Sequence, residues 1–156
     1  TVAGTGVQGF SGDGGPAVDA QLYYPRGLAC DAEGNLYIAD TSNRRIRKVS
    51  STGRISTVAG NGTTGGASDQ SGQPATQVGL FSPYAVAVDP WGNVWESEHG
   101  NHVIRRIGAS FPHTVETWAG VPETSGYTDG AGSLAKFASN SSTSRVARES
   151  VRDSAK

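Results

Sequence analysis

The sequence predicts an all-β fold made of β-propeller blades, each of four antiparallel strands, with an incomplete ring in one chain. Three observations predict it. First, residues 25–49, PRGLACDAEGNLYIADTSNRRIRKV, are largely written again as residues 83–107, PYAVAVDPWGNVWESEHGNHVIRRI. Pro25, Asp31, Gly34, Asn35, Asn43, Ile46 and Arg47 recur as Pro83, Asp89, Gly92, Asn93, Asn101, Ile104 and Arg105, all at the offset 83 − 25 = 58. A fixed period of this size marks repeated units that need neighbours to bury their apolar faces. Second, short runs suited to strands alternate with turns bearing Gly and Asn. Third, 22 glycines and only 17% charged residues suit a turn-dense β chain.

Taken in order, residues 1–3 read as the last strand of a preceding blade. Residues 4–24 form a long Gly/Asp-rich loop anchored by Leu22. The first complete blade covers residues 25–59. In it GLACD and LYIAD are strands joined by AEGN, where Gly34 and Asn35 tolerate the positive φ of a tight hairpin. RIRKVS is the third strand, STGR a turn, and ISTVAG the fourth strand, completing the form of a propeller blade. Residues 60–82 are a second long loop with Leu80 in the place of Leu22, and the second blade covers residues 83–119. A third loop spans 120–137, with Phe137 at the anchor position. There the pattern stops, and 138–156 is a polar Ser/Arg-rich tail expected to be disordered. Alternation and matching across the copies place Leu28, Leu36, Ile38, Ile46, Val58, Val86, Val88, Val94, Ile104 and Trp118 in the core.

The pattern P-x-G-x-A-x-D-x-x-G-N-L-Y-I-A-D-x-x-N-x-R-I-R-K-V at residues 25–49 resembles the NHL repeat family of β-propellers. TVAGTG…GFSGDGGPA at residues 1–17 and TVAGNG at 57–62 support the resemblance, which covers residues 1–137. Propellers use roughly 4 to 8 blades, so two blades leave two sheet faces without partners. The chain is therefore expected to join something larger, either the missing blades of a longer chain or other copies of itself. Three copies would give 2 × 3 = 6 blades. A start at Thr1, inside a repeat and without an initiator Met, reads as a processed product or fragment. Family habit implies an extracytoplasmic or secreted setting.

The formal net charge of −1 creates no field that recruits nucleic acid or an anionic membrane. No apolar run approaches the roughly 20 residues a membrane span needs. Cys30 is the only cysteine, which excludes an intrachain disulfide, and is expected to be a small buried residue.

Chemistry is sought in two sets of residues. Asp40, Asn43 and Arg47 recur as Glu98, Asn101 and Arg105, and recurrence favours a structural ladder tying turns and blades. The departures from the repeat are more informative. Glu96 replaces Ile38, Ser97 replaces Ala39 and His99 replaces Thr41. Glu96, Glu98, His99 and His102 fall within seven positions, with both carboxylates on one strand face. Two carboxylates and an imidazole suit a divalent cation, which makes Glu96, Glu98 and His99 the candidate metal and catalytic residues. VWESEHGN is similar to repeats of virginiamycin B lyase-like propellers, which implies a metal-dependent lyase or lactonase. The competing reading is a solvated acidic turn that needs no cofactor. His113 reads as a surface turn residue, and Asp13 as part of a compact glycine loop. Arg45, Arg47 and Arg105, with Trp91 and Trp95, are candidate ligand-binding residues, because some NHL propellers bind RNA through a basic face. Interleaved acids and arginines on opposite strand faces argue against nucleic acid here. The function expected first is a binding and assembly scaffold for protein or carbohydrate partners.

Overall fold

The computed structural model describes residues 1–65, 70–122, 124–126, 128, 130–131 and 136. The expected Phe137 anchor and the tail at 138–156 lie outside the described residues. Strands β1 (Pro25–Cys30), β2 (Leu36–Asp40), β3 (Arg45–Val49) and β4 (Ile55–Ala59) form one antiparallel sheet in chain order, here blade 1. Strands β5 (Pro83–Val88), β6 (Val94–Glu98), β7 (Val103–Ile107) and β8 (Val115–Ala119) form blade 2 in the same order. The two sheets do not close a ring.

Each first hairpin is held by an aspartate. Asn35 N–H donates to Asp31 Oδ1 at 2.8 Å and its side-chain amide to Oδ2 at 2.7 Å. Asn93 repeats both bonds to Asp89, each at 2.8 Å. Gly34 and Gly92 take the positive φ at 80° and 83°. Asn35 does not, contrary to expectation: its part in the turn is the bond to Asp31. Even the costly backbone positions repeat, with Tyr24 (φ 49°) matching Ser82 (φ 56°) and Arg44 (φ 54°) matching His102 (φ 57°).

Strand alternation sends Ile38, Val49 and Ile55 to one face of blade 1, where Ala17, Ala20 and Leu22 of the first loop cover them. Tyr37, Ala39, Ile46 and Ala59 go to the other face, against Val86, Val94, Ile107 and Val115 of blade 2. Ala75, Val78 and Leu80 of the second loop join this same cluster. The first strands, β1 and β5, also lie against each other. Gly27 permits this, because a Cβ there would come within 2.7 Å of Ala85 Cα and Tyr84 O. The far face of blade 2 carries Trp95, Ile104 and Ala119, with Ala87 beside them.

Several expectations need correction. Leu28 is 61% exposed and Trp118 45% exposed, although both were placed in the core. Leu28 shares a face with its register partner Ile38, but the loop that buries Ile38 does not cover it. Trp118 lies on the far face of blade 2, which no described element covers. Leu36, Val58 and Val88 are partly buried and pack against the core rather than within it. Cys30 is exposed rather than buried, at the end of β1 opposite Leu36. Residues 1–3 form no strand. The segment that follows is tied to the loop instead, through Gly4 N–H to Ala17 O and Thr5 N–H to Ala20 O, both 2.9 Å. No helix among the described residues is long and apolar enough to cross a membrane.

Candidate functional site between the blades

The recurrent polar residues sit where β2 ends, where the following turn reverses the chain, and where β3 returns. Asp40 accepts from Tyr23 N–H at 2.8 Å, from the Asn43 amide at 2.8 Å and from Arg47 Nη1 at 3.3 Å. The Asp40 and Arg47 side chains are both fully buried. Burial pushes the Asp40 carboxyl up, and these donors pull it only part of the way back. On its other side Arg47 Nη2 donates to Ser11 O at 3.1 Å and Asp13 Oδ1 at 2.8 Å. Thr57 Oγ1 donates to the second Asp13 oxygen at 2.7 Å. Asp13 therefore joins the first loop to the sheet. The ring of Phe10 lies under the Arg45 and Arg47 guanidinium carbons, at 3.7 and 4.8 Å.

Blade 2 repeats this ladder with a longer acid. Glu98 Oε2 accepts from Phe81 N–H at 2.8 Å and from the Asn101 amide at 2.5 Å, while Arg105 Nε pairs with Oε1. Glu96 is the departure. It stands opposite Arg105 in the β6–β7 register and is fully buried. Neither of its oxygens meets a donor among the described residues. Burial holds its pKa well above the ordinary glutamate value, and the neighbouring Glu98 raises it further, while Arg105 opposes them. The surroundings of Glu96 thus favour its neutral over its charged form. The expected solvated acidic turn is overturned: both carboxyls are buried in the polar stratum of β6 and β7, on the face turned towards blade 1.

The candidate metal residues do not converge. His99 is exposed, with its ring stacked on Tyr84 at 6.1 Å. Among the described residues, no three His, Cys, Asp or Glu side chains gather to hold an ion. The ligand-binding candidates are likewise scattered. Arg47 and Arg105 are buried in ion pairs, out of reach of a phosphate. Arg45 donates to Asn43 O at 2.9 Å and Asn61 O at 2.8 Å. Trp95 is buried, donates to Asp89 Oδ2 at 3.0 Å and packs edge-on against Trp118 at 5.1 Å. Trp91 alone of this set projects, at 56% exposure. His113 is exposed, as expected of a turn residue. Sequence reasoning marked Ser97 as a departure from the repeat but missed its burial and the Ala85 N–H that it accepts at 3.2 Å. It also missed Phe111, which is 91% exposed. The available signal for Phe111 was turn length, since residues 108–114 between β7 and β8 outnumber residues 50–54 between β3 and β4 by two.

The family model of the Teneurin NHL domain matches residues 3–147. The chain is 42% identical over 101 residues to human Teneurin-1, covering 59% of this chain and 4% of that protein. It is 38% identical over 107 residues to the chloroplastic protein SUPPRESSOR OF QUENCHING 1 of Arabidopsis thaliana, covering 66% of this chain and 10% of that protein. The chain thus spans a tenth or less of the length of these curated relatives. Among solved structures, it superposes on a Bacteroides thetaiotaomicron protein of unknown function with a TM-score of 0.64 at 20% identity, covering 79% of this chain and 31% of that one. That likeness concerns the fold.

Proposed function

The chain belongs to the Teneurin NHL domain family, and from that premise we propose that it is a non-catalytic binding and assembly module. Its two blades contribute to a larger propeller, completed by other copies or by blades of a longer chain, whose rim and loops meet protein or carbohydrate partners. The observation that carries this reading is where the reactive-looking groups lie. Glu96, Glu98 and Arg105 are sealed within the stack, so they act on its cohesion, while uncovered apolar surface is present at both of its ends. At one end are Trp118 and the Trp95–Ile104–Ala119 cluster. At the other are Leu28 and a cleft of about 580 Å³ lined in part by Ala3, Val7, Leu22 and Tyr24. Exposed sheet faces of this kind favour association.

Light scattering with circular dichroism tests the proposal. A β-rich species of three chains, reduced to one by Trp118→Asp with the same dichroism spectrum, is the expected outcome. A well-folded monomer at all concentrations would count against self-assembly. The metal-dependent alternative requires Glu96 and Glu98 to reach solvent; tight binding of Mn²⁺ or Ca²⁺ in calorimetry, lost in Glu98→Gln, would restore it.

A further inference from the structure

The sequence Thr-Val-Ala-Gly-x-Gly occurs at residues 1–6 and 57–62 and makes the same turn twice. Gly4 and Gly60 N–H donate to Ala17 O and Ala75 O, and Thr5 and Asn61 N–H to Ala20 O and Val78 O, all at 2.9 Å. Val7 N–H donates to Thr5 Oγ1 at 3.3 Å, as Thr63 N–H does to Asn61 Oδ1 at 2.8 Å. All four glycines have positive φ, from 84° to 96°. The second turn is clasped by two arginines at the head of β3. Arg45 Nη2 donates to Asn61 O at 2.8 Å, and Arg44 Nη1 to Gly62 O at 3.3 Å. A Cβ on Gly62 would fall on the Arg45 guanidinium, whereas one on Gly6 would meet nothing within 4 Å. The matching carbonyls, Thr5 O and Gly6 O, accept no hydrogen bond among the described residues. Gly4, Thr5 and Gly6 line the cleft of about 580 Å³.

A third turn shows what the second glycine accompanies. Blade 2 has His102-Val103 in the place of Arg44-Arg45, and after β8 the turn Ala119-Gly120-Val121-Pro122 has Pro122 in the place of Gly62. The second glycine and the arginine pair are thus present together in one blade and replaced together in the other. Gly6 puts the first turn with the arginine-bound kind. We infer that the turn at Gly4–Gly6 is a cradle for guanidinium groups, and that its ligand is an arginine pair heading the third strand of a further blade. That strand lies beside residues 1–3 as β3 lies beside β4, where Ile46 is opposite Ala59. The inference rests on the scaffold reading above and names the contact that holds the added blade. The chemistry of the turn selects the ligand. Carbonyl oxygens only accept, so a phosphate or carboxylate finds no donor in them. A guanidinium offers a planar fork that reaches two carbonyls at once, as Arg45 does with Asn43 O and Asn61 O, whereas a lysine brings a compact point charge.

The test titrates a synthetic peptide with this chain's own third-strand sequence TSNRRIRKV, residues 41–49, into the whole chain labelled with nitrogen-15. The chain is N-acetylated, because Thr1 also lines the cleft and its amino group would repel a cation. The amide signals of Gly4, Thr5 and Gly6 should shift and saturate. A peptide carrying Arg44→Lys and Arg45→Lys keeps the charge and loses the fork, and should bind roughly tenfold more weakly or worse. The chain variant Gly6→Asn puts a side chain where the second turn holds Arg45, and asparagine tolerates positive φ better than most residues. It should lose the peptide and keep the parent's dichroism spectrum. Equal binding of the arginine and lysine peptides, signal shifts that spare Gly4–Gly6, or no binding at millimolar peptide would each overturn the inference. Should Gly6→Asn not fold, the two peptides still decide. Light scattering without peptide reads assembly separately: a chain that self-associates but ignores the peptide keeps the scaffold reading and loses this cradle.

Discussion

A single carboxyl, Glu96, shows how much one residue changes when a repeat is copied with an alteration. Blade 1 has Ile38 at this position, packed with Val49 and Ile55. Blade 2 puts an acid there, fully buried beside Glu98, with Arg105 already paired to Glu98. Because the folded chain retains a proton that the unfolded chain releases above the ordinary value of 4.5, it binds more protons than the unfolded chain in that window. Stability from this site is therefore full below pH 4.5 and falls as pH rises towards the elevated folded pKa. Glu96→Gln keeps the shape, supplies an amide donor and removes the titration. It should stabilise the chain at pH 7 by roughly 1 to 3 kcal/mol, the cost of a poorly satisfied buried group. Urea midpoints from pH 4 to 9 check this: the parent curve should fall with pH more steeply than the variant's. Equal slopes would show that Glu96 does not titrate in the folded chain. None of this was legible in VWESEHGN, because alternation assigns Glu96 and Glu98 to one face without revealing that blade 1 covers it.

Among the elements, the pairing of β1 with β5 depends on an absent side chain. Gly27 needs no unusual φ; it is required because the backbone of β5 occupies the space a Cβ would take. Gly27→Ala should force the two strands apart and cost about 1 to 3 kcal/mol, as overpacking does elsewhere. Ala85, at the matching place in blade 2, is half-buried and already carries its Cβ, so Ala85→Gly relieves or creates no overlap and should cost at most about 1 kcal/mol, the entropic cost of a glycine in a strand. Thermal unfolding of both variants decides it, and equal effects would mean the close approach carries no energy. The blades themselves were readable: the period of 58 residues, the Asp31/Asn35 and Asp89/Asn93 turns and the strand alternation are local signals. What escaped was non-local. Leu28, Cys30 and Trp118 were expected inside, but burial depends on which element arrives from elsewhere in the chain. The Asp13–Arg47 link joins residues 34 apart and has no signature in either segment alone.

At the scale of the whole molecule, the largest buried cluster belongs to neither blade. Tyr37, Ala39, Ile46 and Ala59 of blade 1 share it with Val86, Val94, Ile107 and Val115 of blade 2, and Leu80 of the connecting loop is buried among them. Stacked repeats of this kind are stabilised by nearest-neighbour interfaces as much as by their own contacts. Opening blade 2 would expose half of blade 1's inner face, so the two blades should unfold together. The distribution of chromophores allows a direct check, since all three tryptophans, Trp91, Trp95 and Trp118, lie in blade 2. Tryptophan fluorescence therefore reports blade 2, whereas far-ultraviolet dichroism reports the strands of both. Coincident urea transitions by the two probes are the expected result, as for a single cooperative unit. If fluorescence changes first and part of the dichroism survives, blade 1 stands without blade 2. The shared cluster would then be a contact surface between two independent sheets, and cohesion of the stack would have to come from whatever packs against its ends.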